Sequence, residues 1–224
     1  METIRTEQLL KTFNGVLRLG PLDLRLGPGE VLGVIGPYGS GKATLLKLFW
    51  GFMKPDHGRI FVFGMQPHLN QMSVRRRAGY LSENPQFYSV LTAKQFLRFV
   101  GNFYHGWEES YACGLLERCG VDPDLKVEKL SKGDRVKLRI ASASGHHPSL
   151  LILDEPTSGL DSQIRLEVLG LLNRLAHEQN VSIVLSSHIS NDLDHIADSI
   201  LILENGRVVE YARTSRIDTP EKCR

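Results

Sequence analysis

An apolar run, Val31-Leu32-Gly33-Val34-Ile35, leads into Gly36-Pro37-Tyr38-Gly39-Ser40-Gly41-Lys42-Ala43-Thr44, and Leu45-Leu46-Lys47-Leu48-Phe49-Trp50 leads out of it. The entering run has the continuity of a buried strand, and the leaving run has an apolar face at helical spacing. Strand, glycine-rich loop and helix in that order constrain the fold more than any other stretch, because together they describe a unit built around phosphate. Gly36, Gly39 and Gly41 open backbone dihedrals closed to other residues, so successive N–H groups point at phosphate oxygens beside the positive end of the new helix. Lys42 then reaches the β- and γ-phosphates. The pattern G-x-x-x-x-G-K-[ST] asks for a hydroxyl after the lysine to hold magnesium, and the chain has Ala43 there. Thr44, one residue on, falls where it meets the α-phosphate.

The rest of the chain bounds what such a loop serves. Its 224 residues suit one large domain or a domain with a smaller lobe, and 42% hydrophobic content is ample for a core. With 27 basic against 25 acidic side chains the net charge is only +2, so composition implies no general attraction to nucleic acid or anionic lipid. Met1-Glu2-Thr3-Ile4-Arg5-Thr6-Glu7 lacks the apolar core of a secretory signal, and no apolar run approaches the roughly 20 residues of a membrane helix. The expectation is a cytosolic, soluble chain. Cys113, Cys119 and Cys223 form no C-x-x-C pair, so reduced, structural cysteines are expected.

Strand patterns fill residues 2–26, broken at Asn14-Gly15 and Gly20-Pro21, which reads as antiparallel hairpins. Arg59-Ile60-Phe61-Val62-Phe63-Gly64 and the short Gly79-Tyr80-Leu81-Ser82 follow as strands. From about 85 to 145 helical patterns replace them, over 92–104, 108–119 and 134–144. Strands resume at 149–154, 181–186 and 200–203, with helices over about 162–179 and 190–197 between them. The alternation predicts a mainly parallel α/β sheet. The expected division is one domain over 1–224, with 1–84 and 146–210 as β subdomain and core, 85–145 as an inserted helical lobe and 211–224 as a polar tail.

A second chemical signal is Leu150-Leu151-Ile152-Leu153-Asp154-Glu155, an apolar strand ending in two carboxylates. Side chains alternate along a strand, so Asp154 faces magnesium and its water while Glu155 faces the attacking water as general base. Alone, such a pair is more often a solvated strand end; beside the glycine loop the balance reverses.

With these motifs in order, the chain resembles the ATP-binding subunit of an ABC transporter over nearly its full length. Leu130-Ser131-Lys132-Gly133-Asp134 resembles the family signature, Ser158-Gly159-Leu160-Asp161 its D-loop, and Ser187-His188 its switch histidine. The resemblance implies a P-loop NTPase core with an N-terminal antiparallel β subdomain and an inserted helical lobe, which binds ATP with magnesium. It also implies that Ser131, Lys132 and Gly133 face the γ-phosphate held by a second subunit, in a head-to-tail dimer sandwiching two nucleotides. Those residues equally read as an ordinary N-cap, and both readings stand at this point.

Asp161 falls in the nucleotide-contacting set, and His188 bonds the γ-phosphate and orients water with Glu155. Phe13 falls where the family stacks an aromatic on adenine, or else packs in the core. The other histidines, including His146, His147 and His195, read as surface or capping residues. Glu83 falls where the family has a metal-binding glutamine, with Gln86 a second candidate. A charged oxygen at Glu83 offsets the ligand lost at Ala43. The implied partner is a membrane-spanning permease on a separate chain, contacted between the helical lobe and the Glu83–Leu91 loop, which makes this subunit peripheral on the inner face of the cell membrane.

The Ser131-Lys132-Gly133 variant, the stretch Phe103-Tyr104-His105-Gly106-Trp107 and the short tail resemble bacterial export subunits of the bacitracin or acetoin type. The alternative is a degenerate, regulatory ATP-binding subunit with slow or no hydrolysis. DNA-repair or chromosome-structuring ATPases share the motifs but carry a long coiled-coil segment between them, and translation-factor ATPases carry two cassettes.

Overall fold

A computed structural model describes residues 2–13, 16–83, 89–189, 193 and 196–214. Their elements run β1 (Ile4–Phe13), β2 (Val16–Leu26), β3 (Val31–Ile35), α1 (Lys42–Phe49), β4 (His57–Val62), α2 (Gln71–Arg75), β5 (Ala78–Leu81), α3 (Ala93–Gly101), α4 (Glu109–Arg118), α5 (Lys132–Ser144), β6 (Leu150–Leu153), α6 (Ser162–Gln179), β7 (Ser182–Ser187), β8 (Ser199–Glu204) and β9 (Arg207–Arg213). They form a three-stranded antiparallel sheet, β2-β1-β4, and a six-stranded sheet, β5-β6-β7-β3-β8-β9. All neighbours in the larger sheet are parallel except β8 and β9.

Strands β3, β5, β6 and β7 of the larger sheet are buried on both faces, which is why β3, β6 and β7 read as apolar runs. The two-residue period divides them cleanly. Leu151, Leu153, Ile183 and Leu185 pack with the helices α3 to α6. Leu150, Ile152, Val184 and Leu201 pack with α1 and the antiparallel sheet. A parallel sheet places its loops' chemistry at the carboxyl ends of the strands, and here β3, β6 and β7 lie side by side, so the glycine loop, the paired carboxylates and His188 emerge together.

Three local expectations change. Gly20-Pro21 does not separate two strands; it lies inside β2, whose pairing with β1 absorbs the irregularity through register shifts. The stretch after β8 is a further strand, and Asn205 and Gly206, with φ of 50° and 80°, make the two-residue turn that asparagine-glycine favours. This strand carries Tyr211–Arg213, the first residues of the expected tail. Asn14-Gly15, Gln86, His195, Cys223 and most of the expected 190–197 helix lie outside the described residues.

Close approach of α5 to β5 depends on Gly79. A Cβ there would meet the Ala143 carbonyl oxygen at 2.3 Å and Leu151 Cδ2 at 2.7 Å. Backbone cannot yield as a flexible side chain does, so Gly79→Ala is expected to cost about 1–3 kcal/mol, the range for overpacking. Urea denaturation checks this; an unchanged midpoint means α5 shifts freely.

Candidate nucleotide site

The glycine loop takes the expected left-handed dihedrals at two of its three glycines; Gly36 is not among the positive-φ residues and is required for space instead. Gly39 and Gly41 have φ of 80° and 108°, and Gly41 is the residue from which α1 starts. The loop lines a cavity of about 600 Å³ whose wall includes Phe13, Tyr38 to Thr44, Lys47, Tyr80, Ser82, Glu83, Asp154 and Glu155. Phe13 is 40% exposed at this wall rather than packed in the core, with the Lys11 ammonium 5.3 Å from its ring centre. Its flat face is available to a planar base.

Lys42 is buried and its Nζ donates to the carbonyls of Gly36 at 2.6 Å and Pro37 at 3.2 Å. The same ammonium stands 3.3 Å from Glu155 Oε1. The other oxygen of Glu155, Oε2, meets His188 Nδ1 at 2.8 Å. One carboxylate thus joins the loop lysine to the histidine after β7.

Asp154 and Glu155 do not divide their labour by strand alternation. Strand β6 ends at Leu153, and Glu155 takes a left-handed φ of 48°, which returns its side chain to the cavity that Asp154 also lines. A non-glycine residue there carries about 1–3 kcal/mol of strain, held only where neighbours fix it. Ser186 is such a neighbour: its Oγ accepts from the Glu155 amide at 2.9 Å and donates to Asp154 Oδ1 at 2.8 Å. Burial raises the Asp154 pKa above the usual carboxylate range, with Glu155 adding to it and the Ser186 hydroxyl opposing. Sequence reading passed over Ser186, although a buried serine pair closing an apolar strand was its signal.

Arg139, midway along α5, was also passed over. It is 9% exposed, its guanidinium donates to the Ser82 carbonyl oxygen, and burial pulls its pKa down to about 10 against the opposing pull of Asp154. Tyr80, packed against Trp50 and Phe52, is pushed up to about 12 by burial and then by Asp154.

A family profile described as ABC transporter fits residues 19–158. The bacitracin transport ATP-binding protein BcrA of Bacillus licheniformis is 34% identical over 92% of this chain and 68% of its own length. The chain belongs to the ABC transporter family. The Enterococcus faecalis protein of the same name is 32% identical over 96% of this chain and 70% of its own. Among solved structures, cbiO1 of Clostridium perfringens, part of an ABC transporter complex, superposes with a TM-score of 0.85 at 27% identity, covering 95% of this chain and 88% of that one. A dimeric bacterial ABC transporter cassette shares the fold, with a TM-score of 0.82 at 23% identity over 94% and 98% of the two chains.

In this ABC transporter chain the remaining expected site residues lie apart from the cavity wall. Ser131 caps α5, accepting from the Asp134 amide at 3.1 Å while donating to Asp134 Oδ2 at 2.7 Å, so the N-cap reading describes its contacts. Lys132 Nζ donates to the Gly159 carbonyl at 3.1 Å, and a Cβ on Gly133 would meet Ile164 Cγ2 at 2.3 Å. Asp161 caps α6 through the Ile164 amide at 3.0 Å. The signature-like and D-loop-like stretches are therefore tied to each other. His147 is exposed and pairs with Glu108 at 2.9 Å, in keeping with a surface role. His146 does not keep to the surface: it is buried, stacked on Tyr104 with centroids 4.2 Å apart, and burial lowers its pKa to about 4.

The donor set fits magnesium. Asp154 and Glu83 offer hard carboxylate oxygens at one cavity, while Ala43 offers none. Among the described residues no three His, Cys, Asp or Glu side chains form a ligand cage. Magnesium at nucleotide sites is held by one or two carboxylates with the phosphates, so a cage is not required.

Proposed function

We propose that this chain binds and hydrolyses ATP to ADP and phosphate as the nucleotide-binding subunit of a bacterial exporter. The observation that carries the reading is Glu155, which shares one cavity wall with Lys42 and is bonded from behind by His188. The loop amides and Lys42 hold the phosphates, and Phe13 stacks on the base. Glu155 takes the proton of the attacking water, and His188 holds that carboxylate in place and meets the γ-phosphate. Bound magnesium supplies positive charge to the phosphate oxygens. Asp154 and Glu83 would hold it, with Glu83 offsetting the hydroxyl absent at Ala43.

Two copies, or this chain and a related one, close head to tail over two nucleotides, with Ser131, Lys132, Gly133 and Asp161 completing the opposite site. Residues 85–145 act as a lobe that passes the motion to a membrane-spanning permease on another chain. No helix among the described residues is long and apolar enough to cross a membrane. Supporting a contact beside the lobe, Trp50, Met72, Arg75, Phe103 and Tyr104 line a second cavity of about 270 Å³. Met72 and Phe103 are 67% and 73% exposed there. The export direction rests on the bacitracin transport relatives. Cargo recognition belongs to the permease, and co-purification with a multi-span membrane protein separates transport from every other use of the cassette.

The absence of an oxygen at Ala43 favours a second reading, a regulatory subunit that holds ATP with slow or no hydrolysis. Magnesium-dependent phosphate release by the assembled transporter decides. Glu83→Gln is expected to weaken the magnesium dependence by about 10–100-fold, as loss of a metal partner does, and Ala43→Ser in the same chain to restore it. If neither variant moves a robust rate, Glu83 does not compensate. ATP binding without phosphate release selects the regulatory subunit.

A further inference from the structure

Arg139 is the one buried arginine among the described residues; it stands behind the cavity wall rather than in it, and the ATP chemistry above gives it no role. It lies on α5, the helix that starts beside Ser131, and its side chain crosses to the Ser82 carbonyl, the last backbone oxygen before Glu83. The crossing is possible because Gly79 lets α5 approach β5 at Ala143, one helical turn beyond Arg139. Ser82 and Glu83 line the cavity with Asp154, whose charge acts on Arg139. Glu83 itself is exposed, and no hydrogen bond or ion pair holds its carboxylate among the contacts described. The backbone at Ser82 and Glu83 sets where that carboxylate enters the cavity.

We propose that Arg139 is a positioning residue: by holding the Ser82 carbonyl it fixes the backbone that presents Glu83 to magnesium beside Asp154, and so sets the metal affinity of the site. The inference rests on the cavity being the ATP site and deepens that reading. Two effects of Arg139 on a divalent cation oppose each other. Its charge repels the metal, whereas its hydrogen bond to Ser82 orders a ligand. The charge is partly offset by Asp154, and loss of an outer partner of a metal ligand typically costs about 10–100-fold in affinity, so positioning dominates.

Titration of manganese into the full chain with ATP, followed by water proton relaxation, reads the metal directly. Binding of a fluorescent ATP analogue in EDTA reads the nucleotide alone. Arg139→Met, which keeps the bulk and removes the charge and donors, is expected to weaken manganese binding about tenfold. Nucleotide binding in EDTA should stay within twofold, and Arg139→Lys should recover part of the metal affinity. Tighter manganese binding in Arg139→Met means repulsion dominates and overturns the proposal. A parallel fall in EDTA binding means Arg139 serves the fold alone, which overturns it as well. If the wild-type chain binds no ATP analogue, the ATP reading fails first; if it binds and all variants share one metal affinity, only the Arg139 inference fails.

Discussion

Replacing Glu155 by glutamine is expected to slow phosphate release by the assembled transporter about 10²–10⁴-fold, the range for loss of a general base. ATP should remain bound. Glutamine has the shape of glutamate and can keep an oxygen toward Lys42 and a contact to His188, where wild-type distances are 3.3 Å and 2.8 Å. The left-handed backbone at this position is held by the Glu155 amide and Ser186, neither of which the substitution touches. The folded site therefore survives, and what disappears is the ability to take a proton. Parallel measurement of phosphate release and of retained labelled ATP separates these. Undiminished turnover removes Glu155 from the mechanism; loss of ATP together with turnover means that its contact with Lys42 mattered for binding rather than chemistry.

That residue also shows what could be read along the chain and what could not. The glycine loop is legible because its chemistry is local: positive-φ glycines, a lysine at the helix start and an apolar strand before them lie within one short stretch. The larger sheet is legible for a similar reason, since strands buried on both faces leave unbroken apolar runs. Ser186 is different. Its role exists only because β6 and β7 pair with Leu153 beside Leu185, which brings the following serine to the carboxylates. Register across a sheet is not written in either strand alone. The return of Glu155 to the cavity is set by one dihedral, which reverses the alternation that a regular strand would impose.

Arg139 left a fainter trace. It sits between Leu138 and Ile140 on a helix whose buried face also takes in Lys137, and charged residues inside an apolar face mark places where something must be bonded. Lys137 finds Glu167 at 2.7 Å and the Cys119 carbonyl at 3.1 Å, tying α5 to α6 and to the end of α4. Arg139 finds Ser82. Last, β9 left a short trace: the turn signal Asn205-Gly206 after a strand, followed by only two strongly apolar residues, Val208-Val209.

Gly36→Ala is expected to reduce ATPase activity about 10²-fold, the cost of misplacing a catalytic loop by ~1 Å, and to weaken ATP binding with it. The reason is space, not dihedral freedom, because Gly36 is absent from the positive-φ positions. A Cβ there would stand 2.2 Å from the Leu203 carbonyl oxygen and 2.5 Å from Ser40 Oγ. The loop has little room to retreat. The Ser40 carbonyl accepts from Gly206 at 3.0 Å, Gly206 in turn accepts from Gly20 at 2.8 Å, and Lys42 grips the Gly36 carbonyl from the other side. The new methyl must therefore push either the phosphate-binding backbone or β8. Gly39→Ala provides the contrast, since its Cβ would meet nothing within 4 Å and pays only for a φ of 80°. That costs about 1–2 kcal/mol of conformational energy. Binding of a fluorescent ATP analogue to both variants, alongside their melting temperatures, distinguishes the two causes. If Gly36→Ala binds ATP as tightly as the wild type, the loop is not clamped between β8 and the Gly206 turn. If Gly39→Ala is the more damaging, backbone conformation rather than close packing limits the site.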